Sequence, residues 1–394
     1  MEGIWIWMLI MAMVAGNHAA EFNVLKFGAK GDGKTDDSAA ILNAWKEACK
    51  SSEASTVVIP KGTYMVGSMA IQGPCQAPIA ILAEKVRFVA PIDPARLTSH
   101  NGWFNFQGID KFSLQGGRFD GQGEITWHEN NCAAGKCGSM PINLSFHQIT
   151  NSVIHSITSF DSKQFHINVL SCTNVTFQRI RISSPHESLN TDGMHIARSS
   201  GINLTQADIK TGDDCVSVGD GSEQVNIEDM WCGPGHGIAI GSLGQYNNEE
   251  PVIGITVKNC TLTNTVNGVR LMTRPASSTE GIARDLHFKD IVMDNVTTPI
   301  LIDQEYCPYN LCDTKVPSRV KISDVSFEDI RGTSASKLAV KLRCSKGVPC
   351  ENVVLSNIKL AYQGSDGAAT SECANVKPIL KGEMFPPACE VSST

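Results

Sequence analysis

The chain has 394 residues, with 33 Lys and Arg against 40 Asp and Glu, a formal charge of −7 and no basic block, so nucleic-acid partners are excluded. Its 34 glycines and the scarcity of 3.6-residue periodicity exclude a helical body and point to many tight turns. Length alone would suggest two or three domains, but no Pro/Ser-rich linker or composition break appears, and one domain is expected over residues 21–394.

At the start, Ile4 to Ala15 form an apolar stretch too short to span a bilayer, followed by small residues and the polar Glu21. Residues 1–20 read as a secretory signal, although only Glu2 is charged ahead of the apolar stretch and several cleavage positions exist between Ala15 and Ala20. The 14 cysteines and the five Asn-x-Ser/Thr sequons at Asn143, Asn174, Asn203, Asn259 and Asn295 agree with secretion. No later apolar run would hold the chain in a membrane.

A strand is expected from Phe22 to Phe27, and a helix from Ser38 to Lys50, where Ala40, Ile41, Ala44, Trp45 and Ala48 share one face. Between them, Gly28-Ala-Lys-Gly-Asp-Gly33-Lys34-Thr35 matches the phosphate-loop pattern letter for letter. The alternating β/α units that such a loop requires are missing, so it reads as a Gly-rich turn with Asp36 or Ser38 as the N-cap of the helix.

From there a repeat takes over. The pattern apolar-x-apolar-x-x-apolar-x-apolar recurs as Val175/Phe177/Ile180/Ile182, Ile202/Leu204/Ala207/Ile209, Val225/Ile227/Met230/Cys232, Ile255/Val257/Cys260/Leu262, Leu286/Phe288/Ile291/Met293, Val320/Ile322/Val325/Phe327 and Val353/Leu355/Ile358/Leu360. Weaker copies begin at Phe112 and Ser152, and polar pairs such as Glu228-Asp229, Lys289-Asp290, Ser323-Asp324 and Ser356-Asn357 mark a turn inside each copy. A second alternating strand follows in each unit: Phe165-x-Ile167-x-Val169, Met194-x-Ile196, Val216-x-Val218, Ile238-x-Ile240, Val269-x-Leu271, Ile300-x-Ile302 and Leu338-x-Val340-x-Leu342. The expected architecture is all-β, a parallel β-helix capped at its N-terminal end by the short helix. A β-sandwich is the alternative, and it gives no reason for the period.

Cysteine spacing predicts local disulfides at Cys132/Cys137, Cys307/Cys312 and Cys344/Cys350 rather than a zinc site. Cys215 and Cys232, on neighbouring coils, are expected to bridge.

Asp192, Asp214 and His236 lie 22 residues apart, each just upstream of one of the second strands. In parallel coils such positions stack about 4.8 Å apart. Asn190-Thr191-Asp192, Gly212-Asp213-Asp214, Gly235-His236-Gly237 and Val269-Arg270 therefore place three carboxylates, an imidazole and a guanidinium on consecutive rungs. Clustered carboxylates with divergent pKa values suit glycosidic cleavage, and a neighbouring cation suits an acidic sugar.

These four segments resemble the signature of the plant polygalacturonases, pectin-cleaving glycoside hydrolases built on a right-handed parallel β-helix, and the likeness runs from Phe22 to about Cys389. The stretches Phe27-Gly-Ala-Lys-Gly-Asp-Gly-Lys-Thr-Asp, Thr211-Gly-Asp-Asp-Cys-Val-Ser-Val-Gly-Asp-Gly and Ile302-Asp-Gln-Glu-Tyr-Cys-Pro resemble the pollen-type exo-acting branch. The resemblance implies Asp213 as general acid, Asp192 and Asp214 as the pair that activates water in an inverting displacement, and His236 as the group tuning the acid. Asn190, Arg270 and Tyr306 would contact galacturonate. It implies no cofactor and no metal, and a monomer secreted to the plant cell wall that acts on polygalacturonate.

Two features pull against it. Rung spacing would put Asp192 and Asp214 about 5 Å apart, a separation that points to retention if they were acid and nucleophile. As joint holders of the water they would leave inversion intact. The family's Arg-Ile-Lys is here Arg270-Leu271-Met272, so the lysine expected on a substrate carboxylate is missing. The alternatives are a weakened or inactive pectin-binding homologue, and a lyase of the same fold that cleaves by β-elimination.

Overall fold

The computed structural model describes residues 19–97, 102–129, 140–277 and 280–389. The Cys132/Cys137 pair and all but the last two residues of the expected signal lie outside them.

Alternating side chains close the coil. In a short strand, every second residue faces inward, and here those residues stack coil on coil: Val175, Ile202, Val225, Ile255, Leu286, Val325 and Val353 are successive partners in register, all parallel. On the opposite wall, Ile167, Met194, Val216, Ile238, Val269, Ile300 and Val340 form the matching ladder. Among the described residues the walls merge into a 19-stranded and an 11-stranded sheet, both parallel, and the whole is a right-handed parallel β-helix. Aromatic rings stack inside it in the same way, Phe106 on Phe146 at 4.9 Å and Phe288 on Phe327 at 5.1 Å.

The expected turns are left-handed residues. Arg179, Gln206, Asp229, Asn259, Asp290, Asp329 and Asn357 all have φ between 51° and 57°. Asparagine and aspartate tolerate that region, and their side chains bond from coil to coil, as Asn259 Nδ2 does to Asp229 Oδ1 at 2.6 Å and Asn357 Nδ2 to Asp329 Oδ1 at 3.0 Å. One copy of the repeat is out of frame in the sequence reading. Leu286 pairs with Val325, not Val320; the expected turn at Asp324 is left-handed, with φ 55°, but it aligns with Asp285, and the bend equivalent to Asp290 is at Asp329. The start of the strand, Val320 to Ser323, pairs with Gly281 to Arg284 and mimics the pattern one bend early.

At the N-terminal end the helix Ser38–Cys49 buries all five expected residues, and Trp45 Nε1 donates to Gln72 O at 3.0 Å. The N-cap is Asp37, not Asp36 or Ser38, and it makes no side-chain cap bond because its carboxylate accepts from the Lys30 and Gly31 amides instead; Asp36 Oδ1 accepts from the Ser38 amide at 3.0 Å. The strand expected to Phe27 ends at Asn23 and gives way to a 3₁₀ turn, Val24–Phe27, because Asn23 Oδ1 captures the Leu25 amide at 3.0 Å. The phosphate-loop lookalike is self-satisfied. The Lys30 and Gly31 amides donate to Asp37 at 2.7 and 3.0 Å, and those of Lys34 and Thr35 to Asp32 at 2.9 and 2.8 Å, so protein carboxylates take the donors a phosphate would need.

Disulfides join Cys307 to Cys312, Cys344 to Cys350 and Cys215 to Cys232, as the spacing predicts, and also Cys49 to Cys75 and Cys373 to Cys389. Cys172 and Cys260 are free thiols buried in the core, where they serve as small apolar side chains.

Candidate active site

Glycine is required where the site is built. A side chain at Gly212 would place its Cβ 1.9 Å from Ser188 O, and one at Gly237, with φ +97°, 2.2 Å from Asn267 O. The close approach lets the turns before Val216–Val218 and Ile238–Leu243 stack tightly. Met194 pairs with Val216 and Val216 with Ile238, so Asp192, Asp214 and His236, each two residues upstream, hold equivalent places on three successive coils.

Asn190, Asp192, Asp213, Asp214, Arg270 and Tyr306 line one cleft of about 450 Å³. His236 adjoins it from the next coil: its Nδ1 lies 2.9 Å from Asp213 Oδ1, so the imidazole engages the carboxylate beside the column rather than Asp214. The Asp214 amide also donates to Asp213 Oδ1, at 2.9 Å. Arg270, on the wholly buried strand Asn267–Thr273, donates from Nη2 to Asp214 Oδ1 at 2.6 Å. Its Nε is buried and has no partner among the described residues.

The electrostatics follow from crowding three carboxyls into a buried place. Burial raises Asp192 well above the usual carboxylate range, and Asp213 and Asp214 push it further. Burial raises Asp214 as well, opposed chiefly by the Arg270 guanidinium. His236 is raised by its bond to Asp213, against desolvation. Burial works against the Arg270 charge, yet the Asp214 carboxylate more than offsets it and holds the guanidinium protonated. Asp192 and Asp214 thus resist ionising together, and the proton they hold belongs to the two jointly.

Asp213, Asp214 and His236 present ligand atoms within 4.8 Å of one another, which is cation-site geometry. Of these, Asp214 is also paired with the Arg270 guanidinium at 2.6 Å.

Sequence reasoning missed several lining residues. His195 and Ser217 lie on the cleft floor beside Asp192, one residue into their strands. Alternation held the signal: with Met194, Ile196, Val216 and Val218 facing in, 195 and 217 must face the same way as the site. Phe165, expected to face the core, lines the cleft instead, because the strand begins only at Ile167 and residue 165 lies on the turn before it. Tyr246, from the loop after Leu243, stands at the rim and is 61% exposed, with Glu249 accepting from the Gln245 and Tyr246 amides at 2.8 and 2.9 Å. Met272 is only 3% exposed, facing the cleft from under its loops.

Comparison with known proteins agrees with this geometry. The model of glycosyl hydrolases family 28 matches residues 49–388. The chain is 55% identical over 373 residues to an exopolygalacturonase of Arabidopsis thaliana, covering 94% of this chain and 83% of that one, and 49% identical over 361 residues to an exopolygalacturonase of Oenothera organensis, covering 91% and 99%. Among solved structures, the fold is similar to an endo-xylogalacturonan hydrolase of Aspergillus tubingensis (TM-score 0.78, 22% identity, 93% of this chain and 100% of that one) and to a hyperthermoactive exopolygalacturonase of Thermotoga maritima (TM-score 0.70, 19% identity, 97% and 96%). A family match over most of the chain, close relatives along nearly its whole length and a carboxylate cleft on a parallel β-helix have one explanation: the chain belongs to family 28 of the glycosyl hydrolases.

Proposed function

We propose that the chain is a secreted polygalacturonase of the exo-acting kind, hydrolysing α-1,4-galacturonosyl linkages of pectin in the plant cell wall with inversion. The observation that carries this reading is the cleft itself, where Asp192, Asp213 and Asp214 converge with Arg270. Two relatives named exopolygalacturonase match almost the whole chain and support both substrate and mode.

In the proposed mechanism, Arg270 takes a uronate carboxylate through the donors that Asp214 leaves free, with Asn190 and Tyr306 at the same sugar. Asp213 and His236 act as one acid. The imidazole, bonded to Asp213 at 2.9 Å, keeps a proton on the pair above the ordinary histidine range. Asp213 passes that proton to the glycosidic oxygen as the bond from C1 breaks. A water held between Asp192 and Asp214 attacks C1 from the opposite face. Asp214, whose rise the Arg270 guanidinium opposes, takes the water's proton, while the more strongly raised Asp192 orients the water.

Product analysis on polygalacturonate tests it. Monomeric galacturonate alone is the expected result. A ladder of oligomers would mean endo cleavage, an unsaturated product absorbing in the near ultraviolet would mean a lyase, and affinity without new reducing ends would mean a binding protein.

A further inference from the structure

Behind Asp192 runs a polar chain that the mechanism above does not use. Ser217 Oγ donates to Asp192 Oδ2 at 2.8 Å, and His195 Nδ1 lies 2.8 Å from the same serine oxygen. His195 and Ser217 are register partners on adjacent rungs, and the Phe165 ring packs on the imidazole at 5.4 Å, so backbone and aromatic together fix the line. Ser217 is 4% exposed and Asp192 7%. We propose that His195 and Ser217 are positioning residues for Asp192, aiming its carboxyl at the water and conducting a proton between Asp192 and the cleft. This rests on the assignment of Asp192 to the water.

The chemistry of three groups in a row supports it. A serine has one hydrogen to give. When Asp192 is ionised it only accepts, so Ser217 donates to it and must accept from His195, which puts the imidazole proton on Nδ1. When Asp192 is protonated the order reverses: its hydroxyl donates to Ser217, whose hydrogen turns to a bare Nδ1, and the imidazole proton sits on Nε2. Passing between the two states takes one proton in at Nε2, one from Nδ1 to Oγ and one from Oγ to Oδ2. The imidazole is neutral before and after. Burial favours that neutral form, lowering His195 to about 4, with Asp220 opposing. Asp192 itself is faced by the charges of Asp213, Asp214 and Arg270, while the side-chain hydrogen bond to it comes from Ser217.

The experiment compares wild type, Ser217→Ala, His195→Leu and His195→Asn on polygalacturonate across pH, with thermal melts to confirm folding. Ser217→Ala and His195→Leu should lower kcat roughly 10- to 100-fold, the scale of a misaimed reacting group, with KM within about twofold because the uronate contacts are elsewhere. The acid limb of kcat/KM should move to higher pH, since a hydrogen bond to the ionised carboxyl is lost. His195→Asn, whose amide occupies the Nδ1 position and can give or accept, should keep most of the activity. Wild-type kcat and pH profile in Ser217→Ala, a loss confined to KM, or equal damage from Asn and Leu would each overturn the proposal; if His195→Leu does not fold, Ser217→Ala decides. Nitrogen NMR of the His195 ring gives an answer independent of substrate. The proton should move from Nδ1 to Nε2 as pH falls in wild type and stay fixed in Asp192→Asn. A fixed tautomer in wild type would refute the relay even if hydrolysis proceeds, and a moving one would sustain it even if polygalacturonate is not cleaved.

Discussion

Arg270→Met should convert the site from a paired cluster to a set of repelling buried carboxyls, and the size of that change can be worked from its geometry. Arg270 and Asp214 are 9% and 5% exposed and meet at 2.6 Å. At an effective dielectric constant of about 20, that distance corresponds to a gross attraction of about 6 kcal/mol. Desolvation offsets part of it, and removing one member of a buried pair commonly costs about 3–5 kcal/mol because the other is stranded. Asp214 is already raised by burial, and without the guanidinium it rises further. A carboxyl raised in the fold contributes stability that is full below its unfolded value of 3.8 and is lost as pH rises through the folded value. The loss in Arg270→Met should therefore approach about 3–5 kcal/mol in urea unfolding at about pH 7 and shrink toward about pH 4. Arg270→Met/Asp214→Asn, with no stranded charge, should recover most of the stability at neutral pH and none of the activity. A loss of the same size at both pH values, or no recovery in the double variant, would show that Arg270 acts by packing and that the pair is not the electrostatic centre of the cleft.

Asp213→Asn should lower kcat by roughly 10²- to 10⁴-fold, the usual contribution of a general acid, with an unchanged melting curve. The pH profile of kcat/KM should be a bell: its acid limb lies above the ordinary carboxylate range because Asp214 and Asp192 are raised, and its alkaline limb above the ordinary histidine value because Asp213 raises His236. An alkaline limb unmoved by His236→Asn would remove histidine from the acid. Met272 pairs in register with Asp303, and Arg274 lines the same cleft with its Nε 3.4 Å from Ser242 Oγ, so Met272→Lys should gain no more than about 10-fold in kcat/KM while Arg274→Ala loses at least as much, the scale of one charged hydrogen bond. Equal rates for all three proteins would make position 272 neutral. Of the five sequons, Asn143 is 2% exposed with its Nδ2 bonded to Ser159 Oγ at 3.0 Å, whereas Asn174, Asn259 and Asn295 are exposed at bends. Glycopeptide mapping should find Asn143 unmodified, and a glycan there would contradict its place in the core.

The solenoid was legible because its inner face is nearly uniform. Each coil needs four inward apolar residues at fixed spacing, and from Val175 onward the chain supplies them. What the spacing does not encode is which of two overlapping frames closes the coil. Val320/Ile322/Val325/Phe327 and Val325/Phe327/Ile330/Gly332 both fit, and the fold uses the second, since only there do Val325 and Phe327 meet Leu286 and Phe288. The first coils were harder for the same reason. In Ile79–Val89 the left-handed bend falls on Lys85, a residue with no turn signature, and the strand runs through it unbroken. Asparagine and aspartate bends advertise themselves, while lysine and glutamine bends do not.

The site shows a different division between what sequence spacing encodes and what it leaves open. Its floor is made where coils are shortest: from Met194 to Val216 to Ile238 the register advances 22 residues per turn, so functional residues at equal intervals must stack. The walls come from insertions that follow, Gly244 to Pro251 before the strand at Val252 and Gln304 to Arg319 before the strand at Val320, which carry Tyr246 and Tyr306 over the floor. An inserted loop obeys no period, so of the walls only Tyr306 could be named, and by resemblance rather than by spacing. His195 and Ser217 fall between these cases. Their column was fixed by alternation alone, but a serine and a histidine on the outward face of a strand are ordinary in sequence. Only the 2.8 Å links from His195 to Ser217 and from Ser217 to Asp192 separate a proton path from two polar side chains that happen to be neighbours.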